Sequence, residues 1–174
     1  QSAGRWRVEQ VASVGGAEIE TPDTLGKIAQ RVLDSDRIVL PESAQWDIYS
    51  GTISSTLLEV LLELSSVAAL DVTVLKTGHP RLVVDGRRPA PVSAHFLGRA
   101  VDIFALDGAP ISRASASSVR GVVEAARDLA AVLQLGVPAG FDVDAGQRRI
   151  FSNLVHADHL HVAVGRTRTG AGTQ

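Results

Sequence analysis

The chain contains no cysteine and no methionine, has few aromatic residues, and carries almost no net charge. Without cysteine there is no disulfide framework, thiolate zinc finger, iron–sulfur cluster or cysteine nucleophile. With 17 basic against 19 acidic residues, the formal charge of −2 argues against bulk electrostatic binding of nucleic acid or an anionic membrane. No apolar run approaches the roughly 18 residues of a membrane span. No basic segment followed by an apolar one opens the chain as a leader would. With no methionine, Gln1 is expected to be an internal residue exposed by processing or by design, and the chain to be part of a larger polypeptide or assembly. Any metal site must be built from His, Asp and Glu, and the five histidines are the residues to follow.

What is present is ordinary globular composition: 174 residues, 45% hydrophobic and 21% charged. Residues 1–20 have little periodicity and read as an N-terminal extension or linker, with Gly15-Gly16 as a joint. Thr21-Pro22-Asp23 carries a helix-start signature, followed by Leu25, Ile28, Ala29, Val32 and Leu33 at helical spacing. A second helix is expected over 54–69, with 37–51 between them as an irregular segment. After Leu70 the period changes. Segments 71–76, 81–85, 100–104, 149–151 and 160–164 are short, largely β-branched and bounded by turn residues, so they read as strands. A long helix is expected from Ser117 to Leu135, stopped by Gly136 and Pro138. The pattern is α+β, an antiparallel sheet flanked by helices, in one domain over 21–165 with a flexible tail at 166–174.

Two stretches could carry chemistry. On a strand over 160–164, His159, His161 and Ala163 share one face while Leu160, Val162 and Val164 face the core. In Ser93-Ala-His95-Phe-Leu-Gly98-Arg-Ala100-Val-Asp102, Gly98 permits a tight turn and Asp102 points away from the core side of its strand. Catalytic zinc sites take three protein ligands and a water, and His95, Asp102 and one of His159 or His161 give that count. His79, before Pro80, either lines the cleft or occupies a turn, the turn being the favoured reading, and His156 reads as a solvated residue. Arg87-Arg88 and Arg148-Arg149 read as solvated faces able to meet an anionic polymer.

Ser-x-His-x-x-Gly-x-Ala-x-Asp followed by His-x-His resembles the signature of the zinc peptidases grouped with lysostaphin, the D-Ala-D-Ala metallopeptidases and the hedgehog domain. Ser93, His95, Gly98, Ala100 and Asp102 match all five defining positions, and the motif-bearing zinc core spans about 70–165. The resemblance implies a hedgehog/DD-peptidase-like fold with Zn2+ bound by His95, Asp102 and His161, and with Ser93 steadying the motif behind them. It implies that His159 bonds the attacking water or the developing oxyanion. Asp158 stands where the dipeptidase and endopeptidase members place a Glu general base, so Asp158 or His159 is the base, or the domain binds metal without catalysis. The family's substrate-positioning Arg has its nearest counterpart in Arg81. The implied activity is hydrolysis of peptidoglycan stem or cross-link peptides, by a carboxypeptidase or endopeptidase acting next to D-amino acids. The implied location is extracellular or wall-associated, or on a phage or secreted particle. The alternatives are a non-catalytic metal-binding domain for wall recognition or assembly, and a metal-free structural module.

Overall fold

The computed structural model describes residues 25–83, 89–112, 114, 116–141 and 150–165. The expected N-terminal extension, the Thr21-Pro22-Asp23 helix start, residues 84–85 of the 81–85 strand, both Arg pairs with the first residue of the 149–151 strand, and the 166–174 tail lie outside them. In chain order the elements are α1 (Lys27–Leu33), β1 (Ile38–Val39), α2 (Glu42–Tyr49), α3 (Ser55–Val67) and β2 (Leu70–Val74). There follow β3 (Ala100–Leu106), β4 (Ala109–Pro110), α4 (Ala116–Asp128), β5 (Val132–Val137), β6 (Ile150–Ser152), a 3-10 turn at Leu154–His156, and β7 (Leu160–Val164).

The helices form because their apolar residues recur on one side. Leu57, Leu61 and Leu64 of α3 and Val119, Val122, Val123 and Ala126 of α4 are fully buried. They share a core with the inward residues Val101, Ile103, Leu160 and Val162 of the sheet. Each such side chain contributes about 1.5–3 kcal/mol on burial, which outweighs any propensity term in a helix of 13 residues. The sheet runs in the order β1-β2-β3-β7-β5-β6, with β4 pairing β3 beyond the end of β7. Its four central strands are antiparallel, while β1 pairs β2 and β5 pairs β6 in parallel. An α+β arrangement therefore holds, but the expectation of a wholly antiparallel sheet is corrected at both edges.

Three expectations about elements also change. The segment 37–51 is not irregular: it holds β1 and α2, the latter with Ala44 and Ile48 buried one turn apart. The long helix ends at Asp128, and Val132–Val137 is strand β5 rather than its last turns. Leu82 makes a single bridge to Val92 in place of a described strand over 81–83. The Asp107-Gly108 turn is present, with φ of 49° and 76° at its two residues, joining β3 to β4.

Candidate metal centre

The register of the two central strands builds the site. Asp102 on β3 lies opposite His161 on β7, and Ala100 lies opposite Ala163. Alternation sends Val101, Ile103, Leu160 and Val162 to the helix side. Asp102 and His161 then face the other side of the sheet, next to two alanines too small to crowd them. On β5 the residue opposite His161 is Gly136.

His95 arrives on a turn. Leu97 N–H donates to Ser93 O, Gly98 N–H to His95 O, and Arg99 N–H to Ala94 O. Ser93 Oγ accepts His95 N–H at 3.2 Å, which holds the start of the turn. Gly98 has φ of 65°, and a Cβ placed there would meet Thr52 O at 1.9 Å. Ser54 N–H donates to Gly98 O at 2.8 Å, so the turn is pressed against the 52–54 segment. Only glycine fits.

His95 is 1% exposed, and its Nδ1–H donates to Leu75 O at 2.7 Å. A carbonyl can only accept, so Nδ1 carries the hydrogen and Nε2 of the neutral ring presents a lone pair. That Nε2 lies 3.2 Å from His161 Nδ1 and 3.2 Å from Asp102 Oδ1, and the last two atoms are 2.9 Å apart. Three ligand atoms at tetrahedral angles and about 2.0–2.1 Å from one zinc would stand roughly 3.3 Å from each other. The triangle has nearly that size. A proton on His161 Nδ1 satisfies Asp102, but nothing lies between the His95 lone pair and the carboxylate oxygen in the neutral cluster. Burial alone would raise the Asp102 carboxyl, yet the hydrogen bond from His161 and the histidine rings around it hold it well below the usual range. The cluster is thus an acceptor-rich pocket, and the N, N, O donor set suits a borderline divalent cation.

A second group shares two of these residues. Donor atoms of His79, His95 and Asp102 lie within 4.8 Å of one another, and this group could hold a metal ion. The His79 ring stacks on His95 at 4.1 Å with planes 15° apart, whereas the His161 ring is tilted 55° from His95. Stacked rings direct their lone pairs side by side, and tilted rings can direct them at one point. The tighter, convergent set is therefore His95, Asp102 and His161. His79 Nδ1 lies 3.0 Å from Pro80 O and 3.2 Å from Ser93 Oγ, and burial lowers its pKa.

The remaining sequence candidates separate. His159 Nδ1–H donates to Asp158 Oδ1 at 2.9 Å, and its Nε2 is 3.9 Å from Asp102 Oδ1. Asp158 is 72% exposed on its side chain, and the bond from His159 lowers its pKa. His159 is among the residues that line the cleft, and Asp158 is not. Arg81 sits with its guanidinium carbon 5.3 Å from the centre of the exposed Phe96 ring, outside the cleft lining, which includes Arg99 instead. Ser93 touches both His95 and His79.

All five histidines line one cleft of about 910 Å³. His79 does occupy a turn, its N–H donating to Lys76 O, but that turn is part of the site. The solvated reading of His156 is corrected: it is half-buried, its Nδ1–H donates to Asn153 Oδ1 at 2.7 Å, and its ring stands edge-on to Phe151. Burial pushes its pKa down to about 4. A Cβ at Gly136 would lie 2.6 Å from the His156 ring, so the glycine makes room for it beside His161. Sequence reasoning missed this pair because Gly136 fitted equally well as a helix stop. Leu82, Val92, Leu133 and Val155 give the cleft apolar walls.

A scan of the chain against protein-family models finds no match, and neither does a search of curated proteins or of solved structures.

Proposed function

We propose that this chain is a zinc-dependent peptidase of the lysostaphin/D-Ala-D-Ala metallopeptidase/hedgehog type, acting on peptidoglycan stem or cross-link peptides. The observation that carries the reading is the convergence of His95 Nε2, His161 Nδ1 and Asp102 Oδ1 at separations of 2.9–3.2 Å. These three residues would hold the metal, and three protein donors are the count of catalytic rather than structural zinc sites. Bound zinc supplies Lewis-acid polarisation of a carbonyl and lowers the pKa of water toward about 7. The antiparallel core β2-β3-β7-β5, with helices packed against it, supports the hedgehog/DD-peptidase-like fold that the motif implies.

The chain's own residues supply the proton chemistry. With Nδ1–H committed to Asp158, neutral His159 keeps a lone pair on Nε2, on the side of Asp102. It accepts the proton of the attacking water and returns it to the leaving amine, and Asp158 orients the ring and stabilises its cationic form. This assignment accounts for a shortened carboxylate at 158, because Asp158 then acts through His159 and has no need to reach the water. The apolar walls accommodate an extended peptide, and the preference for bonds next to D-amino acids rests on the motif. An extracellular, wall-associated or particle-borne location follows from such a substrate.

A second reading, a non-catalytic metal-binding domain for wall recognition or assembly, draws on the exposure of Asp158. One experiment separates the two. The purified chain is assayed for zinc and incubated with peptidoglycan fragments, alongside His159→Ala. The peptidase reading expects about one zinc per chain in both proteins and a loss of roughly 10²–10⁴-fold in hydrolysis for the variant. Zinc binding without hydrolysis selects the second reading, and absence of stoichiometric zinc removes both.

A further inference from the structure

Asp47, on α2, is a buried carboxylate at 5% exposure, and no arginine or lysine side chain bonds to it among the described residues. A buried charge needs compensation, and here it comes from one turn of chain. Asp47 Oδ2 accepts Lys76 N–H at 2.9 Å and Thr77 N–H at 2.8 Å, while Oδ1 accepts the Thr77 hydroxyl at 2.6 Å. The residue just before this gripped pair is Leu75, whose carbonyl takes the Nδ1–H of His95. The residue at the end of the turn is His79, stacked on His95.

The main chain of Asp47 works on the other side of the site. Its carbonyl accepts Thr52 N–H at 3.2 Å and the Thr52 hydroxyl at 3.0 Å. Thr52 O is the atom against which Gly98 closes, and the Gly98 turn carries His95. One residue therefore braces both the acceptor that orients the His95 ring and the segment that seats its backbone.

We infer that Asp47 is the positioning residue of the metal centre: it fixes the tautomer and direction of His95 through Leu75 O and the Thr52–Gly98 contact. Orientation of a ligating imidazole by the group bonded to its other nitrogen is a general requirement of metal sites, and its loss weakens binding by about 10–100-fold. Asp47 acts one step further back, through the carbonyl that makes that bond. A purely structural carboxylate would stabilise the fold without setting which nitrogen of His95 is protonated.

The test uses the full chain with ¹⁵N-labelled histidine, together with Asp47→Ala, Asp47→Asn and Thr77→Val. Two quantities are read: the His95 imidazole ¹⁵N shifts of metal-free protein, and zinc affinity by competition with a chelator. The expected wild-type spectrum is that of a ring protonated on Nδ1. Asp47→Ala should show mixed tautomers and about tenfold weaker zinc binding, and Asp47→Asn, which keeps an acceptor oxygen, should restore both. A folded Asp47→Ala with the wild-type His95 spectrum overturns the inference, even if its melting temperature falls. Should Asp47→Ala fail to fold, Thr77→Val decides, since it removes only the Oδ1 bond; an unchanged His95 spectrum and unchanged affinity there also overturn it. The affinity arm rests on the metal-binding reading, and the tautomer arm does not. A wild-type chain that takes up no zinc defeats that reading while the spectra still judge Asp47.

Discussion

Replacing Gly98 by alanine probes the assembly of the centre at its tightest point. The added Cβ would fall 1.9 Å from Thr52 O, 3.0 Å from Thr52 C and 3.3 Å from Ile53 Cα. All three are backbone atoms, so no side chain can swing aside, and the two segments must part by more than 1 Å to restore a normal carbon–oxygen contact near ~3.3 Å. Three costs then combine. A left-handed alanine at φ near 65° costs about 1–2 kcal/mol. Loss of the 2.8 Å bond from Ser54 N–H to Gly98 O costs about 1 kcal/mol. Overpacking of a closed contact adds roughly 1–3 kcal/mol. Together they predict a destabilisation of about 3–6 kcal/mol, or a fall in melting temperature of roughly 6–24 °C for a chain of this size. Thermal and urea denaturation of metal-free protein, followed by circular dichroism, measure it directly. Because the turn carries His95, zinc affinity should fall as well, which a chelator titration reads separately. A Gly98→Ala protein within 1 kcal/mol of wild type would refute the close-approach argument.

Zinc at about 100 times its Kd should stabilise the native chain by about 2.7 kcal/mol and raise its melting temperature by roughly 5–11 °C. His161→Ala should show no such shift, and an equal shift in both proteins would count against His161 as a ligand. His156, with its pKa moved from 6.5 down to about 4, makes stability depend on acid. The unfolded chain binds a proton in that interval that the native one refuses, so stability is full above about 6.5 and declines as the pH falls toward 4. Asp102 works in the same sense below the ordinary carboxylate range. Urea midpoints of metal-free protein between pH 7.5 and 4.5 should track this fall, with a shallower slope in His156→Gln; a flat profile would contradict it. Gly136→Ala displaces a side chain rather than backbone, so it should cost only about 1–3 kcal/mol. It should also return the His156 pKa toward 6.5 in an NMR titration, and a value still near 4 would show that the ring had not moved.

Much of this was readable in the sequence, for local reasons. Strand β7 was legible to the residue because Leu160, Val162 and Val164 alternate with His161 and Ala163. Helix α3 was legible because Leu57, Leu61 and Leu64 recur on one stripe. Strand β5 was hidden because Val132, Leu133 and Leu135 after a true helix also fit a helical period, and a short apolar run fits either form. Helix α2 was hidden because its largest apolar residue, Trp46, is exposed beside Tyr49, and its buried residues are Ala44, Ile48 and the polar Asp47. The sequence pattern indicated which residues could bind a metal and which strand faces they occupy. It left His79 between a turn and the cleft and kept His156 out of the cleft, since one depends on a grip from Asp47 and the other on the space left by Gly136.

The pairing of Asp102 with His161 across β3 and β7 has a consequence for how the chain can vary. Two donors directly opposite each other on neighbouring strands do not depend on the path that joins those strands. The loops that join the intervening elements can lengthen or shorten without moving either donor, provided the ladder keeps its alignment. A slip of one residue, by contrast, would turn His161 into the helix layer and bring Leu160 or Val162 into the cleft. An ion spanning the two strands would therefore act as a gauge of their alignment, bound only by molecules that had zipped in the correct frame.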